Sequence, residues 1–377
     1  MKKIKYILIP TGFILFLIFP KINVITHWVK PLNLEENRIM SEKPDFNITN
    51  LDPFPMAYEK YYNDNFCLKS NFVGRYNYFK FRLNKKSPNP KSVLVGKKDF
   101  FFYNDQSIKI VSGIFQYSKE QLDAFKKEIQ SRTELLKKEN CKYYLAIIPT
   151  KGVIYNEYLP DDIQVVKKNI RSTEILIKYL RDNGCDNVIY LQSALEEAKK
   201  KHRIFHKHDN HWNNNGAFAA TTAIQKRIQK DFPNVRIYDL KDYTIRSEKV
   251  NQGGDLANII GLSPFLTETK FKYIPNNDLP QVFNGNKKNY PIPEGFAYGW
   301  GYEVQKRTEN DSLPKLMVVN NSFGPYTNEF LSRSFSKSVY IWDKWEFKLN
   351  DDIRRVEKPD VFLTLITDFS LDALLKK

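Results

Sequence analysis

The chain has 377 residues, 42% of them hydrophobic, including 27 Phe and 22 Tyr. That apolar mass excludes an intrinsically disordered chain and suffices for one large core or two modest ones. The net charge of +16 suits either an acidic partner or a plain solvated basic surface, and the three cysteines, none in a C-x-x-C pair, argue against a structural zinc site.

Lys2, Lys3 and Lys5 precede an apolar run, Tyr6 to Pro20, and a semi-apolar stretch continues to Val29. Positive charge ahead of an apolar run directs the chain to the export route with its N-terminus left in the cytoplasm. The run is short against the roughly 20 residues a span needs. Snorkelling lysines and the extension through Trp28 make up the difference. No small-x-small cleavage site follows, so residues 1–29 read as an uncleaved signal anchor rather than a cleaved signal peptide. The remainder is then extracytoplasmic, where Cys67, Cys141 and Cys185 allow either one disulfide and a free thiol or three buried thiols.

Residues 30–53 are polar and proline-bearing and read as a linker. Phe54 to Leu83 reads as an aromatic helix. Val93 to Gly96 and Phe100 to Tyr103 read as two strands about a GKKD turn. Ser118 to Glu139 has helical periodicity and leads into Tyr143 to Pro149, a continuous apolar run expected of a buried parallel strand. Further helices are expected at Ser172–Asn183, Ser193–Lys201, Asn213–Asp231 and Asn328–Phe335. Further strands are expected at Asn187–Leu191, Leu316–Val319, Val339–Trp342 and Asp360–Ile366. The stretch from Tyr238 to Pro314, rich in Gly, Pro and Asn, reads as long surface loops. Alternating helices and apolar strands indicate an α/β domain with a mainly parallel sheet over residues 54–377.

Two places carry chemistry. In His208-Asp209-Asn210-His211-Trp212, Asp209 can accept from one ring nitrogen of His211 and leave the other to serve a nucleophile. A metal site is the rival, because three of the five histidines (His206, His208, His211) lie here, but no second ligand cluster is evident elsewhere. A plain surface turn would also favour Asp and Asn. Ser322 follows the strand Leu316–Val319 and precedes Gly324, at the sheet edge where α/β sites form. An ordinary helix-capping serine fits the same position. The surrounding residues are not G-x-S-x-G, which excludes the α/β-hydrolase elbow.

Five blocks resemble a known family. VLVGKKDFFFY (93–103) is similar to its V-x-x-G-K-D-G-W-L-F-Y, and IIPTKGVIYNEYLP (147–160) to its P-x-K-x-x-x-Y-P-E-x-L-P. HKHDNHWNNNGAF (206–218) resembles D-x-H-W-x-x-x-G-A, NQGGDLANIIGL (251–262) carries G-D-L, and NNSFG (320–324) resembles G-D-S-F. This is the pattern of the AlgX/AlgJ alginate O-acetyltransferases and the related DHHW proteins. The resemblance implies an SGNH-hydrolase-like three-layer domain, permuted so that Asp and His precede Ser. It implies a triad of Asp209, His211 and Ser322 that takes an acetyl group from a polytopic membrane O-acyltransferase and passes it to a polysaccharide hydroxyl. No cofactor or metal is implied. The Ser322 N–H is the expected oxyanion donor, with Gly253, Gly254, Asn321 and Trp212 as candidate neighbours. With no carbohydrate-binding module after the catalytic region, the chain is closest to the membrane-anchored AlgJ type.

The chain departs from the pattern at Asn320 and Asn321, where the family has Gly and Asp, and at Phe100-Phe101 in place of W-L. Without zinc-finger spacing or an RNA-recognition signature, the basic surface suits an anionic polysaccharide better than nucleic acid. An acetylesterase with the same triad, and a non-catalytic glycan-binding subunit favoured by Asn321, are the alternatives.

Overall fold

The computed structural model describes residues 2–32, 40–48, 51–167 and 170–376, with side chains from Ile7 onward. The lysine side chains ahead of the apolar run, and linker residues 33–39 and 49–50, lie outside the described residues. Helix α1 (Lys2–Thr26) carries the expected apolar run, and its segment Ile7–Thr26 is long and apolar enough to cross a membrane. The expected single helix over 54–83 is two, α2 (Pro53–Asn65) and α3 (Lys69–Asn84). The break falls where Phe66 turns extended, Cys67 donates to the Pro20 carbonyl and Leu68 is buried; packing makes it, with no proline or glycine to announce it.

Strands β1 (Val93–Val95) and β2 (Phe101–Tyr103) form the expected small hairpin. Helices α4 (Gln106–Val111) and α5 (Lys119–Lys137) follow, α5 opened by a capping box between Ser118 and Gln121. Then come β3 (Lys142–Ile148), α6 (Lys151–Ile154), α7 (Ser172–Asp182), β4 (Val188–Tyr190), α8 (Gln192–Lys199) and α9 (Asn214–Gln229). The Asn213 side chain caps α9 by accepting from the N–H groups of Asn215 and Gly216.

The stretch from Tyr238 to Pro314 is not the run of loops its composition suggested. It holds β5 (Tyr243–Val250), α10 (Asp255–Ile259), β6 (Glu268–Pro275), β7 (Phe283–Asn284) and β8 (Glu303–Arg307). β5 and β6 pair antiparallel, and β5 is exposed along most of its length, so no apolar alternation marks it. β8 buries Glu303 and Gln305, polar residues that disguise a strand. The chain closes with β9 (Leu316–Asn320), α11 (Asn328–Ser332), β10 (Lys337–Ile341), α12 (Asp351–Glu357) and β11 (Val361–Thr367).

The central sheet has the order β4-β3-β11-β9-β10-β8-β7; the first five strands are parallel, β8 runs antiparallel to them, and β7 pairs antiparallel with β8. Strands buried on both faces need continuous apolar runs, and β3 supplies one. Its Tyr144, Ala146 and Ile148 join a core with α8, α9 and α11, while Tyr143, Leu145 and Ile147 join another with α5 and α7. The result is three layers, helix–sheet–helix. The C-terminal ends of β3, β11 and β9 lie side by side, and the residues that leave them form the floor of the site.

Candidate active site

Ser322 stands two residues beyond β9, half-buried. The turn that presents it is tied by neutral groups. The Asn321 side chain accepts from the Phe323 N–H (3.1 Å) and donates to Thr367 Oγ1 (3.2 Å), which in turn donates to Ser370 (3.0 Å). Asn320 Nδ2 donates to the Asn321 carbonyl (2.8 Å). A Cβ on Gly324 would lie 2.2 Å from that same Asn320 nitrogen, so only glycine closes the turn. An Asp at 321 would keep the bond to Phe323 but could bond Thr367 only by drawing its hydroxyl hydrogen away from Ser370. Asn321 therefore has a structural reason: its side chain ties the serine turn to Phe323 and Thr367.

The Asp209–His211 segment approaches from the loop before α9. His211 Nε2 lies 2.8 Å from Ser322 Oγ, and His211 Nδ1 lies 2.7 Å from Asp209 Oδ1. The same carboxylate oxygen accepts the His211 N–H (2.8 Å), and Asp209 Oδ2 accepts the Asp255 N–H (3.3 Å). Burial opposes ionisation of Asp209, but the hydrogen bond and charge of His211 outweigh it and hold the carboxyl well below its usual range. Burial also opposes the charged form of His211; the Asp209 carboxylate overcomes it and keeps the imidazole above its ordinary 6.5.

Trp212 joins the two halves. It is fully buried, its Nε1 donates to the Phe323 carbonyl (3.1 Å), and its ring meets that of Phe323, which also lies 4.7 Å from the His211 ring. Of the two glycines, Gly254 packs on Asp209: a Cβ there would fall 2.3 Å from the Asp209 Cβ. The Gly253 N–H donates to the Ser263 carbonyl (2.8 Å), so it is not a free donor for an oxyanion.

Three charged residues without an assigned role in the sequence reading build the rest. Lys151, at the start of α6 and 2% exposed, donates to the carbonyls of Phe101 (2.7 Å), Lys207 (2.7 Å) and Asp209 (3.0 Å). Burial pushes its ammonium down to about 7, against the pull of Asp209, Glu268 and Asp255. Glu268, first residue of β6, accepts from the N–H groups of Lys207 (2.7 Å) and His208 (3.0 Å) and pairs with Arg203 (2.7 Å). Asp255 accepts the Asn210 N–H (2.8 Å) and sets its other oxygen 3.5 Å from His211 Nδ1. Burial and the neighbouring Asp209 charge raise the Asp255 carboxyl to about 7. Lys151 and Asp255 sit inside the P-T-K and G-D-L blocks, where a signal existed; Glu268 lies in a strand that sequence did not reveal.

The three-histidine cluster does not assemble. His206 and His208 turn toward Glu268, at 4.0 and 3.7 Å, and burial lowers both to about 4, leaving them neutral at pH 7. A different group does assemble: Asp209, His211 and Asp255 each bring a ligand atom within 4.8 Å of the others, close enough to hold a cation. The third member, Asp255, comes from α10. Both ring nitrogens of His211 are nevertheless engaged by Asp209 and Ser322, an arrangement suited to proton transfer.

Residues 93–286, just over half of the chain, match the family described as ALGX: SGNH hydrolase-like domain, acetyltransferase AlgX. The match includes Asp209, His211 and Asp255 and ends before Ser322. Two relatives are probable alginate O-acetylases AlgJ. That of Pseudomonas putida is 24% identical over 56% of this chain and 52% of its own, and that of Pseudomonas syringae pv. tomato is 25% identical over 56% and 51%. The chain thus matches about half the length of these relatives. Among solved structures, Bacillus cereus PatB1 shares the fold with a TM-score of 0.51 at 15% identity, covering 75% of this chain and 98% of that one. The O-acetyltransferase domain of Pseudomonas putida AlgJ aligns with a TM-score of 0.46 at 17% identity, covering 76% and 93%.

Proposed function

This chain belongs to the AlgX family of SGNH hydrolase-like acetyltransferases, and from that premise we propose that it is a membrane-anchored O-acetyltransferase acting on an exported polysaccharide through Ser322. The observation that carries the reading is the continuous hydrogen-bond chain Asp209–His211–Ser322.

His211 Nε2 takes the Ser322 proton as Oγ attacks the acetyl carbonyl of the donor. Asp209 holds the ring and stabilises the imidazolium. The imidazolium then gives its proton to the leaving group, and an acetyl ester remains on Ser322. A sugar hydroxyl enters, His211 removes its proton, and attack on the ester returns the proton to Ser322 as the acetylated sugar departs. The Ser322 N–H is the candidate oxyanion donor.

Beside the serine turn lies an open cleft of about 830 Å³, whose lining includes Asn214, Lys272, Tyr273, Tyr326 and Arg333. Tyr326 lies 6.0 Å from the His211 ring, so it stands between the cleft and the reacting groups. Aromatic faces and cations suit an anionic glycan acceptor. The reading assigns residues 1–29 to the anchor, 30–53 to a linker and 54–377 to an extracytoplasmic catalytic domain. A polytopic O-acyltransferase is the proposed acetyl supplier. Asn321 ties the serine turn while Ser322 stays within reach of His211, which speaks against a non-catalytic subunit.

The test is product analysis with an activated acetyl ester, with and without an anionic oligosaccharide. Acetylated oligosaccharide formed by the native chain and not by Ser322→Ala supports transfer. Free acetate as the only product in both arms makes the protein an esterase.

A further inference from the structure

We propose that α3 is a second membrane contact, lying in the lipid interface beside the anchor with its outer face toward the bilayer. The proposal rests on reading α1 as a membrane-embedded helix.

α3 has two apolar faces. The inner one faces the domain: Phe81 is buried, and Tyr78 stacks on Phe265 at 4.7 Å. The outer one is a stripe at helical spacing, Phe72, Tyr76, Phe79 and Leu83, with 42%, 62%, 61% and 64% of each residue exposed. A soluble domain rarely leaves a contiguous stripe of this kind to water. Lys69, Arg75, Lys80, Arg82, Lys85 and Lys86 lie along the same segment, and no Asp or Glu occurs between Lys69 and Lys86. Large apolar side chains on one face with only basic charges around them are the make-up of an interfacial helix.

The stripe also begins at the anchor. The Phe16 and Phe72 rings meet edge to face at 6.0 Å, and Cys67 donates to the Pro20 carbonyl. The joint is specific. Asn71 is buried in it, donating to the Lys30 carbonyl and accepting from the Leu32 N–H. Asn23 exchanges two hydrogen bonds with Val29.

These contacts constrain depth. Ile7 to Thr26, at about 1.5 Å per residue, would fill a core of about 30 Å and put Phe16 at its centre. Phe72 would then sit mid-bilayer beside Lys69, which lines the same crevice as Phe16. Burying that charge in hydrocarbon is costly. The contradiction vanishes if the hydrocarbon ends near Pro20 and Lys21. The membrane surface then lies at the α2–α3 corner, and the outer stripe of α3 enters the interface. The same placement compensates for a run from Tyr6 to Pro20 that is short for a full span.

The test uses the full chain in phosphatidylethanolamine–phosphatidylglycerol vesicles, with Cys67→Ser and one added cysteine carrying an environment-sensitive fluorophore. Phe79→Cys reports the stripe, Ile14→Cys the anchor, and Lys178→Cys the solvent side. Quenchers attached to lipid headgroups and to acyl chains are compared. The proposal expects position 79 to be blue-shifted and quenched by the headgroup quencher, position 14 by the acyl-chain quencher, and position 178 by neither. Quenching at 14 without quenching at 79 overturns the proposal, leaves the anchor in place and assigns the stripe to a protein partner. No quenching at 14 overturns the anchor reading, and the proposal with it.

Discussion

The two halves of the site are held by different physics. The Asp209–His211 loop is irregular backbone pinned by buried charge, with Lys151 gripping three carbonyls and Glu268 gripping two backbone N–H groups. Ser322 sits at the end of a buried strand, in a turn closed by neutral amides and hydroxyls. Buried ions cost several kcal/mol to desolvate and fail sharply when one partner goes, whereas neutral hydrogen bonds are worth about 1 kcal/mol each. The proposed base is thus positioned by an unforgiving clasp and the proposed nucleophile by the sheet.

The largest effect is expected at the nucleophile. Ser322→Ala should lower acetyl turnover by about 10⁴-fold or more, with thermal melting unchanged because the turn does not depend on the hydroxyl. Asp209→Asn should cost about 10³–10⁴-fold. It should also move the acid limb of the pH–rate profile. The neutral imidazole is the active form, so activity is lost as pH falls through the His211 pKa, which Asp209 holds above 6.5. Without that charge the pKa falls and the limb shifts to lower pH; an unmoved limb would detach Asp209 from His211.

Comparing the two supports directly is the sharper break. Lys151→Met removes three hydrogen bonds, although the Lys207 carbonyl keeps the Phe101 N–H, and should cost about 2–4 kcal/mol by denaturant melting, with activity falling in step. Asn321→Asp restores the family residue but turns an acceptor toward Thr367. It should cost only about 1–2 kcal/mol and leave the pH profile in place. Equal losses at both positions would erase the distinction. The smallest effect is expected from a chelator: the rate should not change. A rate lost to chelation and restored by a divalent ion would make Asp209, His211 and Asp255 a metal site.

The same division explains what sequence made legible. β3, β9 and β11 are buried on both faces and announce themselves as apolar runs, so the sheet, its parallel core and the position of Ser322 were readable. Asp209 and His211 are two residues apart, within reach of a local motif. Glu268 was not readable, because a buried charged residue opens β6, and the partner strand β5 is exposed and carries no apolar period. Asp255 and Lys151 stood in recognisable blocks, but a role that consists of gripping distant backbone has no sequence signature. The α2–α3 break and the buried Glu303 and Gln305 of β8 were hidden for the same reason: packing, not local propensity, decides them.

The central claim is that Ser322 carries the acetyl group. It is tested most directly by mixing the full-length protein with an activated acetyl ester, quenching in acid early in the reaction, and mapping the adduct by peptide mass. The account expects one acetyl group on the peptide containing Ser322, absent from Ser322→Ala and discharged when an acceptor glycan is added before the quench. An acetyl group on another residue that is competent for discharge, or turnover that persists in Ser322→Ala, would contradict it.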